Sequence, residues 1–555
     1  MKWRIRHRHN SEIAPDEIFL DASNLSEFDQ SRLEGRLEKP LPNKMFFSLA
    51  SIITIIFLIL IVRTWNLQIT NGTIFASESS HNSLESTVLF APRGIITDFY
   101  GVVLAENVER PDGTMGRNYP FPSLGQIIGY VSYPKKDSKG VYYDTNQIGL
   151  AGIEAEYDSF LAGKNGRLLI ETDALGNVRS EGKIVPAESG KTLQLSIDAN
   201  LENLFANAIS DVVKNQHFIA GAGVILDVNT GAVRAIVSYP SYNPNVMANG
   251  SPSETIAGYS TNQGHPFLDH AVQGVYTPGS IVKPFIAAGA LTDGIITKNT
   301  IIEDKGLISI PDPYHPGKTF LYRGWKSLGY LDVESAIAWS SDIFFYTIGG
   351  GFGNQKGLGI ERLDYWLQQF GLGSPTGIDL SGEASGLIPT PDWKMETFNE
   401  PWYLGDTYFT AIGQYSVQVT PIQMARATAA VANGGKLFTP SLVEGFTPSY
   451  TAVPVDDSAL AIVRAGMREC VTEALAGALN LPYVKIAAKT GTAQTGTRNQ
   501  YDNSWVEGFF PYDNPKYAFV VVLERGPAGS GSQAVNVMSK LFDSLYTENS
   551  TILAQ

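Results

Sequence analysis

The chain has 555 residues, a formal net charge of -14, 43% hydrophobic and 17% charged residues. That composition suits folded domains, roughly two to four at this length, and excludes a wholly disordered chain. The acidic balance argues against a nucleic-acid partner, and the single cysteine, Cys470, excludes an intramolecular disulfide and a cysteine-rich metal site.

Residues 1–44 are polar and without sustained period, with Lys2, Arg4, Arg6 and Arg8 at the start. They read as a mostly disordered cytoplasmic tail with a short helix near Ser26–Leu37. Residues 45–63 follow as an anchor. Met45 to Val62 is an apolar run without charge, about long enough to cross a bilayer core of ~30 Å. Lys39 and Lys44 precede it, and after Arg63 the next basic residue is Arg93. The excess of positive charge before the span places the N-terminus in the cytoplasm and the rest of the chain outside it, held as a single-pass protein of the cell membrane.

Residues 64–198 are polar and punctuated by Gly, Ser and Asn, which predicts an elongated, strand-rich module. Arg167–Thr172 and Thr192–Ile197 alternate like strands. Arg93-Gly94-Ile95-Ile96-Thr97-Asp98 reads as a turn-rich strand, and Gly149-Leu150-Ala151-Gly152-Ile153-Glu154 as a helix start. Residues 199–555 form a second domain. Leu201, Leu204, Phe205, Ala208 and Ile209 make a helical stripe, and Gly223–Val228 and Ala232–Val237 read as a hairpin across Asn229-Thr230-Gly231. A mixed helical region reaches Gly435. Strand candidates Val484–Thr490, Ser504–Phe510 and Tyr517–Glu524 come next, then an amphipathic helix over Ala534–Tyr546. Two strands, a helical insert, three strands and a closing helix predict an α+β domain with an antiparallel sheet.

The chemistry is concentrated in three short motifs. In Thr277-Pro278-Gly279-Ser280-Ile281-Val282-Lys283, Ser280 and Lys283 share a face if a helix begins at Ser280. A serine needs such a neighbouring base to act as a nucleophile at neutral pH. Ser340-Ser341-Asp342 lies at a junction before an apolar segment, and Lys489-Thr490-Gly491-Thr492 at the end of a predicted strand. Each alone is weak. The ordered set Ser-x-x-Lys, Ser-x-Asn and Lys-Thr-Gly is the signature of penicillin-binding proteins and class A β-lactamases.

The chain therefore resembles the penicillin-binding proteins, and the likeness extends beyond the three motifs. Arg93-Gly94-x-Ile96-x-Asp98 and Gly149-x-x-Gly152-Ile153-Glu154-x-x-Tyr157 are similar to the pedestal motifs of class B members. Gly405-Asp406-Thr407, Ile412-Gly413-Gln414, Thr420-Pro421 and Ala432-Asn433-Gly434-Gly435 resemble connecting segments of their transpeptidase domain. No glycosyltransferase signature separates anchor from pedestal, which excludes class A. Asp342 stands where asparagine is more usual. With the short C-terminus, it favours the elongation-type penicillin-binding protein 2 over the division type.

The resemblance implies a penicillin-binding transpeptidase fold, related to serine β-lactamases, acting as a D,D-transpeptidase on peptidoglycan stem peptides and acylated by β-lactams. It implies a polytopic glycosyltransferase of the RodA/FtsW type as partner. Ser280 would be the nucleophile, Lys283 its base, Ser340 a proton carrier and Lys489 a second cation. Asp342, Thr490, Gly491 and Thr492 would bind or order the substrate, with Thr490 and Thr492 on its terminal carboxylate. Asp342, an acid beside two lysines, would oppose the lowering of their pKa values that catalysis needs. No cofactor is implied. Some relatives hold zinc through a cysteine near the middle motif; Cys470 does not fit that place, so no metal is expected, and Asp312 and His315 read as loop residues. Two other readings of the same fold stay open: a D,D-carboxypeptidase or β-lactamase-like hydrolase, and a non-catalytic activator or sensor for a cell-wall polymerase.

Overall fold

The computed structural model describes residues 43–73, 84–110, 114–138, 142–172, 178–312, 315 and 317–553. The tail, with the helix expected near Ser26–Leu37, lies outside the described residues. The chain divides into two units, 1–85 with 170–180, and 86–169 with 181–555.

In the first unit, Asn43–Trp65 is a helix (α1). Among the described residues it belongs to the one helix long and apolar enough to cross a membrane. At 1.5 Å per residue its 23 residues span about 35 Å. Its large apolar side chains are exposed, as a lipid-facing surface requires. The polar side chains in the run are satisfied locally. Ser48, Ser51 and Thr54 donate to the carbonyls of Met45, Phe47 and Ala50 at 2.9, 2.7 and 2.8 Å.

In the second unit the chain first builds a small sheet from Ile96–Thr97 (β1), Val103–Glu109 (β2), Met115–Asn118 (β3) and Leu193–Gln194 (β4), in the order β4-β1-β2-β3. A helix, Gly152–Glu156 (α2), carries Glu154, which is fully buried. Glu154 pairs with Arg93 at 2.6 Å and Arg117 at 2.7 Å, and Arg93 also reaches Asp158 at 2.7 Å. The two motifs of this region thus meet through one buried carboxylate. Asp98 makes a second tie. Its Oδ1 accepts from the N–H groups of Tyr100 and Val102, and its Oδ2 from that of Ala199, at the start of the next helix. Of the expected strands, Gly166–Thr172 forms, whereas Thr192–Ile197 shortens to β4.

That next helix is Ala199–Asn215 (α3), N-capped by Asp198. Ala220–Asp227 (β5) and Val233–Tyr239 (β6) follow as the expected hairpin. Lys283–Thr292 (α4), Val333–Ala338 (α5), Asp342–Gly350 (α6), Pro421–Asn433 (α7) and Asp457–Thr472 (α8) belong to the helical insert. Ala487–Thr495 (β7), Tyr501–Phe510 (β8), Tyr517–Pro527 (β9) and Ala534–Thr547 (α9) close the domain. The five strands form one antiparallel sheet, β6-β5-β9-β8-β7.

Both faces of this sheet are covered, so its strands read as near-continuous apolar runs. On β9, Phe519, Val521 and Leu523 pack into the core shared with α3 and α9. Ala518, Val520 and Val522 pack into the core shared with α4, α6 and α7. The edge strand β7 begins at Ala487, three residues after the expected Val484, and runs on to Thr495. Lys489-Thr490-Gly491-Thr492 therefore lies inside a strand, not at its end. The small and polar residues after Lys489 hide this in the sequence; pairing with β8, from Ala487 with Phe509 to Thr495 with Tyr501, supplies the strand.

Candidate active site

Ser280 sits on a 3-10 turn, Gly279–Val282, and α4 starts only at Lys283. The condition that a helix begin at Ser280 is therefore not met; it begins three residues later. Pro284, which lacks an N–H, suits the first turn of α4 and sets that boundary. In a 3-10 turn residues three apart eclipse, so Ser280 and Lys283 still share a face. The turn is clamped from three sides. Gly279 N donates to Gly413 O at 2.9 Å, Trp505 Nε1 donates to Thr277 O at 3.0 Å, and Gly491 passes directly beneath. A Cβ on Gly491 would lie 2.9 Å from both Pro278 O and Ile281 Cγ2. Gly491 is thus needed for the strand and the Ser280 turn to approach, a different reason from the substrate contact expected of it.

Lys283 is fully buried. It donates to Ser340 O at 2.9 Å, Ser340 Oγ at 3.2 Å and Asp342 Oδ1 at 2.7 Å. The face of Phe345 lies 5.4 Å away. Burial pushes the Lys283 pKa down, and the Asp342 and Asp304 carboxylates push it up; burial prevails. The opposition expected of Asp342 is therefore present but outweighed.

The middle motif is the break between α5 and α6. Ser340 has φ +57, a left-handed conformation that a serine adopts at a cost, and this turns both its carbonyl and its hydroxyl toward Lys283. Ser341, to which the sequence assigned no role, is the N-cap of α6. Its hydroxyl accepts from Phe344 N at 3.0 Å and donates to the buried Asp304 at 2.6 Å. Asp406 orders a loop: it pairs with Lys394 at 2.6 Å and accepts from Tyr403 N at 2.7 Å.

Lys489 points to the inner face of β7, fully buried, and donates to Thr490 O at 2.7 Å. Burial lowers its pKa to about 8, the Lys283 charge adds to the shift, and the Asp342 carboxylate opposes it. Thr490, Gly491 and Thr492 line a cleft of about 790 Å3 together with Ser280, Ser340 and Asp342. All eight sequence-derived site residues thus lie in or directly under one cleft. The sequence reading missed Arg323 and Trp325, which line the cleft at the end of the hairpin Leu307–Pro311 with Thr319–Arg323, and Tyr346, Phe409 and Tyr415, which line it as well. Nothing in the spacing of these residues signals a site.

A serine at a clamped turn, a buried lysine three residues on, a second hydroxyl on that lysine and a second buried lysine beneath the wall are the groups a serine acyl-transfer centre would use. Comparison with known proteins is concordant. The Penicillin binding protein transpeptidase domain matches residues 221–543, and the Penicillin-binding Protein dimerisation domain residues 111–195. Peptidoglycan D,D-transpeptidase MrdA of Escherichia coli K12 is 33% identical over 483 residues, 80% of this chain and 73% of that protein. The penicillin-binding protein 2 of Helicobacter pylori, solved with MreC, superposes with TM-score 0.69 at 26% identity, covering 84% of this chain and 99% of that one. A chain of a solved peptidoglycan synthase complex that coordinates polymerization and crosslinking superposes with TM-score 0.71 at 28% identity, covering 91% and 98%. The chain belongs to the penicillin-binding proteins, in the group of elongation-type peptidoglycan D,D-transpeptidases.

Proposed function

We propose that Ser280 is the nucleophile of peptidoglycan cross-linking in this chain, and that Lys283, Ser340 and Lys489 serve its protons and charge. The observation that carries this is the contact of Lys283 Nζ with Ser340 Oγ, 3.2 Å, directly behind the turn that bears Ser280. Ser280 Oγ attacks the carbonyl of the penultimate D-alanine of a stem peptide, and its proton passes to neutral Lys283. Burial of Lys283 favours that neutral form. The C–N bond then breaks, and the proton reaches the departing D-alanine amine through Ser340 Oγ. An amine of a second stem peptide attacks the resulting ester, the C–O bond breaks, and Ser280 recovers its proton. Backbone N–H groups of Ser280 and Thr492 hold the oxyanion, each worth ~3 kcal/mol. Thr490 and Thr492 hydroxyls and the Lys489 charge receive the terminal carboxylate, and Asp342 orders Ser340 and Lys283.

Incubating the full chain with donor and acceptor stem peptides tests this reading. Mass spectrometry should find a cross-linked dimer and free D-alanine, both lost in Ser280→Ala. Release of D-alanine without dimer would assign the chain to hydrolysis instead.

The same reading places the tail in the cytoplasm and the cleft outside the membrane, on the charge asymmetry around α1. It gives the chain a polytopic RodA/FtsW-type glycosyltransferase as partner, by analogy with the synthase complex among its structural neighbours. β-Lactams acylate the same serine. Co-purification of the two proteins in mild detergent checks the partnership, and protease accessibility in spheroplasts checks the orientation.

A further inference from the structure

One buried acid lies against this machinery without a part in it. Glu507 stands on β8 directly across from Lys489 on β7, so the two side chains share the inner face of the sheet. Both are fully buried. Yet no ion pair joins them among the described residues. Lys489 spends its bond on Thr490 O at 2.7 Å. Glu507 Oε2 meets Thr428 Oγ1 at 2.8 Å, and Glu507 Oε1 has no partner.

The contacts of Thr428 and the bare Oε1 bear on the form of this acid. Thr428 Oγ1 lies 2.8 Å from Met424 O, the carbonyl one turn back on α7, and equally 2.8 Å from Glu507 Oε2. A hydroxyl has one proton. With the Thr428 proton on the Met424 carbonyl, which can only accept, the contact with Glu507 is closed by a proton on the carboxyl; with it on Glu507, the carbonyl keeps only its helical bond. An ionised carboxylate in this place would be fully desolvated with one oxygen bare, far costlier than a bare carbonyl oxygen of a neutral acid. Burial likewise drives the Glu507 pKa well up, against smaller opposition from the Lys489 charge.

We propose that Glu507 is a positioning residue held as a neutral carboxylic acid by the Thr428–Met424 chain, so that the Lys489 charge stays free for a carboxylate arriving in the cleft. An ionised Glu507 would neutralise Lys489 from beneath and compete with the substrate. The groups facing Lys489 are Cys470 from α8, Lys283 from α4, Asp342 from α6 and Glu507 from β8, so Glu507 is the one acid that shares its sheet face. The inference rests on the proposed role of Lys489, but its first readout does not need catalysis.

The test begins with infrared difference spectra of the full chain in detergent, wild type minus Glu507→Gln, at neutral pH. The expected result is a protonated-acid carbonyl band lost in the variant; a carboxylate band in its place overturns the proposal. The second readout is acylation by labelled penicillin against pH. Thr428→Val removes the acceptor of the acid proton. It should shift that band toward carboxylate and slow acylation at neutral pH about tenfold, the effect of one pKa unit on a required charge. Adding Glu507→Gln to Thr428→Val should restore most of the loss. If the double variant is no faster than Thr428→Val although both melt like wild type, the acid is not the cause and the proposal fails. Should Thr428→Val not fold, the infrared band alone decides. Absence of any acylation in wild type would count against the function proposed for the site, and the band would still report on Glu507.

Discussion

Replacing Asp342 by asparagine separates the two forces on Lys283. The pair is 2.7 Å apart, with Lys283 fully buried and Asp342 only 17% exposed, so solvent screens it little. An opposite charge at this range typically moves a pKa by roughly 1–3 units. Asparagine keeps an acceptor for Lys283 Nζ but removes the charge, leaving burial unopposed by its largest counterweight. The Lys283 pKa should fall further. The neutral amine then persists to lower pH. The assay is the acylation rate with labelled penicillin across pH. In Asp342→Asn the acid limb of the profile should move down accordingly. The acylated fraction at saturation should remain stoichiometric. An acid limb that stays in place, or moves up, would refute the assignment of Lys283 as the base whose charge Asp342 controls.

Three further outcomes follow from the same structure. Lys489 has a folded-state pKa of about 8 against 10.5 unfolded, so between these values the unfolded chain binds more protons and stability rises with pH. Below about pH 8 the buried ammonium costs about 3 kcal/mol, so Lys489→Met should raise the apparent melting temperature at pH 7 while abolishing acylation; a lower melting temperature contradicts it. Glu154→Ala strands the buried Arg93 and Arg117 charges and should cost about 3–5 kcal/mol, read as a lower denaturation midpoint, with no change in the pH profile of acylation. Gly491→Ala puts a methyl group 2.9 Å from Pro278 O and Ile281 Cγ2, tilts the Ser280 turn, and should slow acylation about tenfold or more without loss of fold by circular dichroism.

Much of the site was legible because its chemistry uses rare residue combinations at fixed spacing. Ser280 with Lys283, Ser340 with Asp342, and Lys489 with its Thr-Gly-Thr tail announce themselves in one dimension. So does α1, whose uncharged run of apolar residues is long enough to cross a bilayer core. Distances between the motifs were not legible. That Lys283 Nζ meets both Ser340 and Asp342 depends on the left-handed turn at Ser340. Ser341 looked idle because its partner, Asp304, lies far upstream in the chain. The extent of β7 was misread because pairing with β8 overrides the weak strand propensity of Gly491 and its small neighbours. Glu507 did carry a signal, a lone acid among Trp505, Val506, Phe509 and Phe510. An acid in a strand buried on both faces has to be neutral or paired.

The most direct test of the account is the covalent one. The full chain is labelled with penicillin, digested, and the adduct located by mass spectrometry. The account predicts one long-lived ester on Ser280, absent in Ser280→Ala and formed far more slowly in Lys283→Met. An adduct on any other residue, or rapid release of hydrolysed penicillin with no stable adduct, would contradict it.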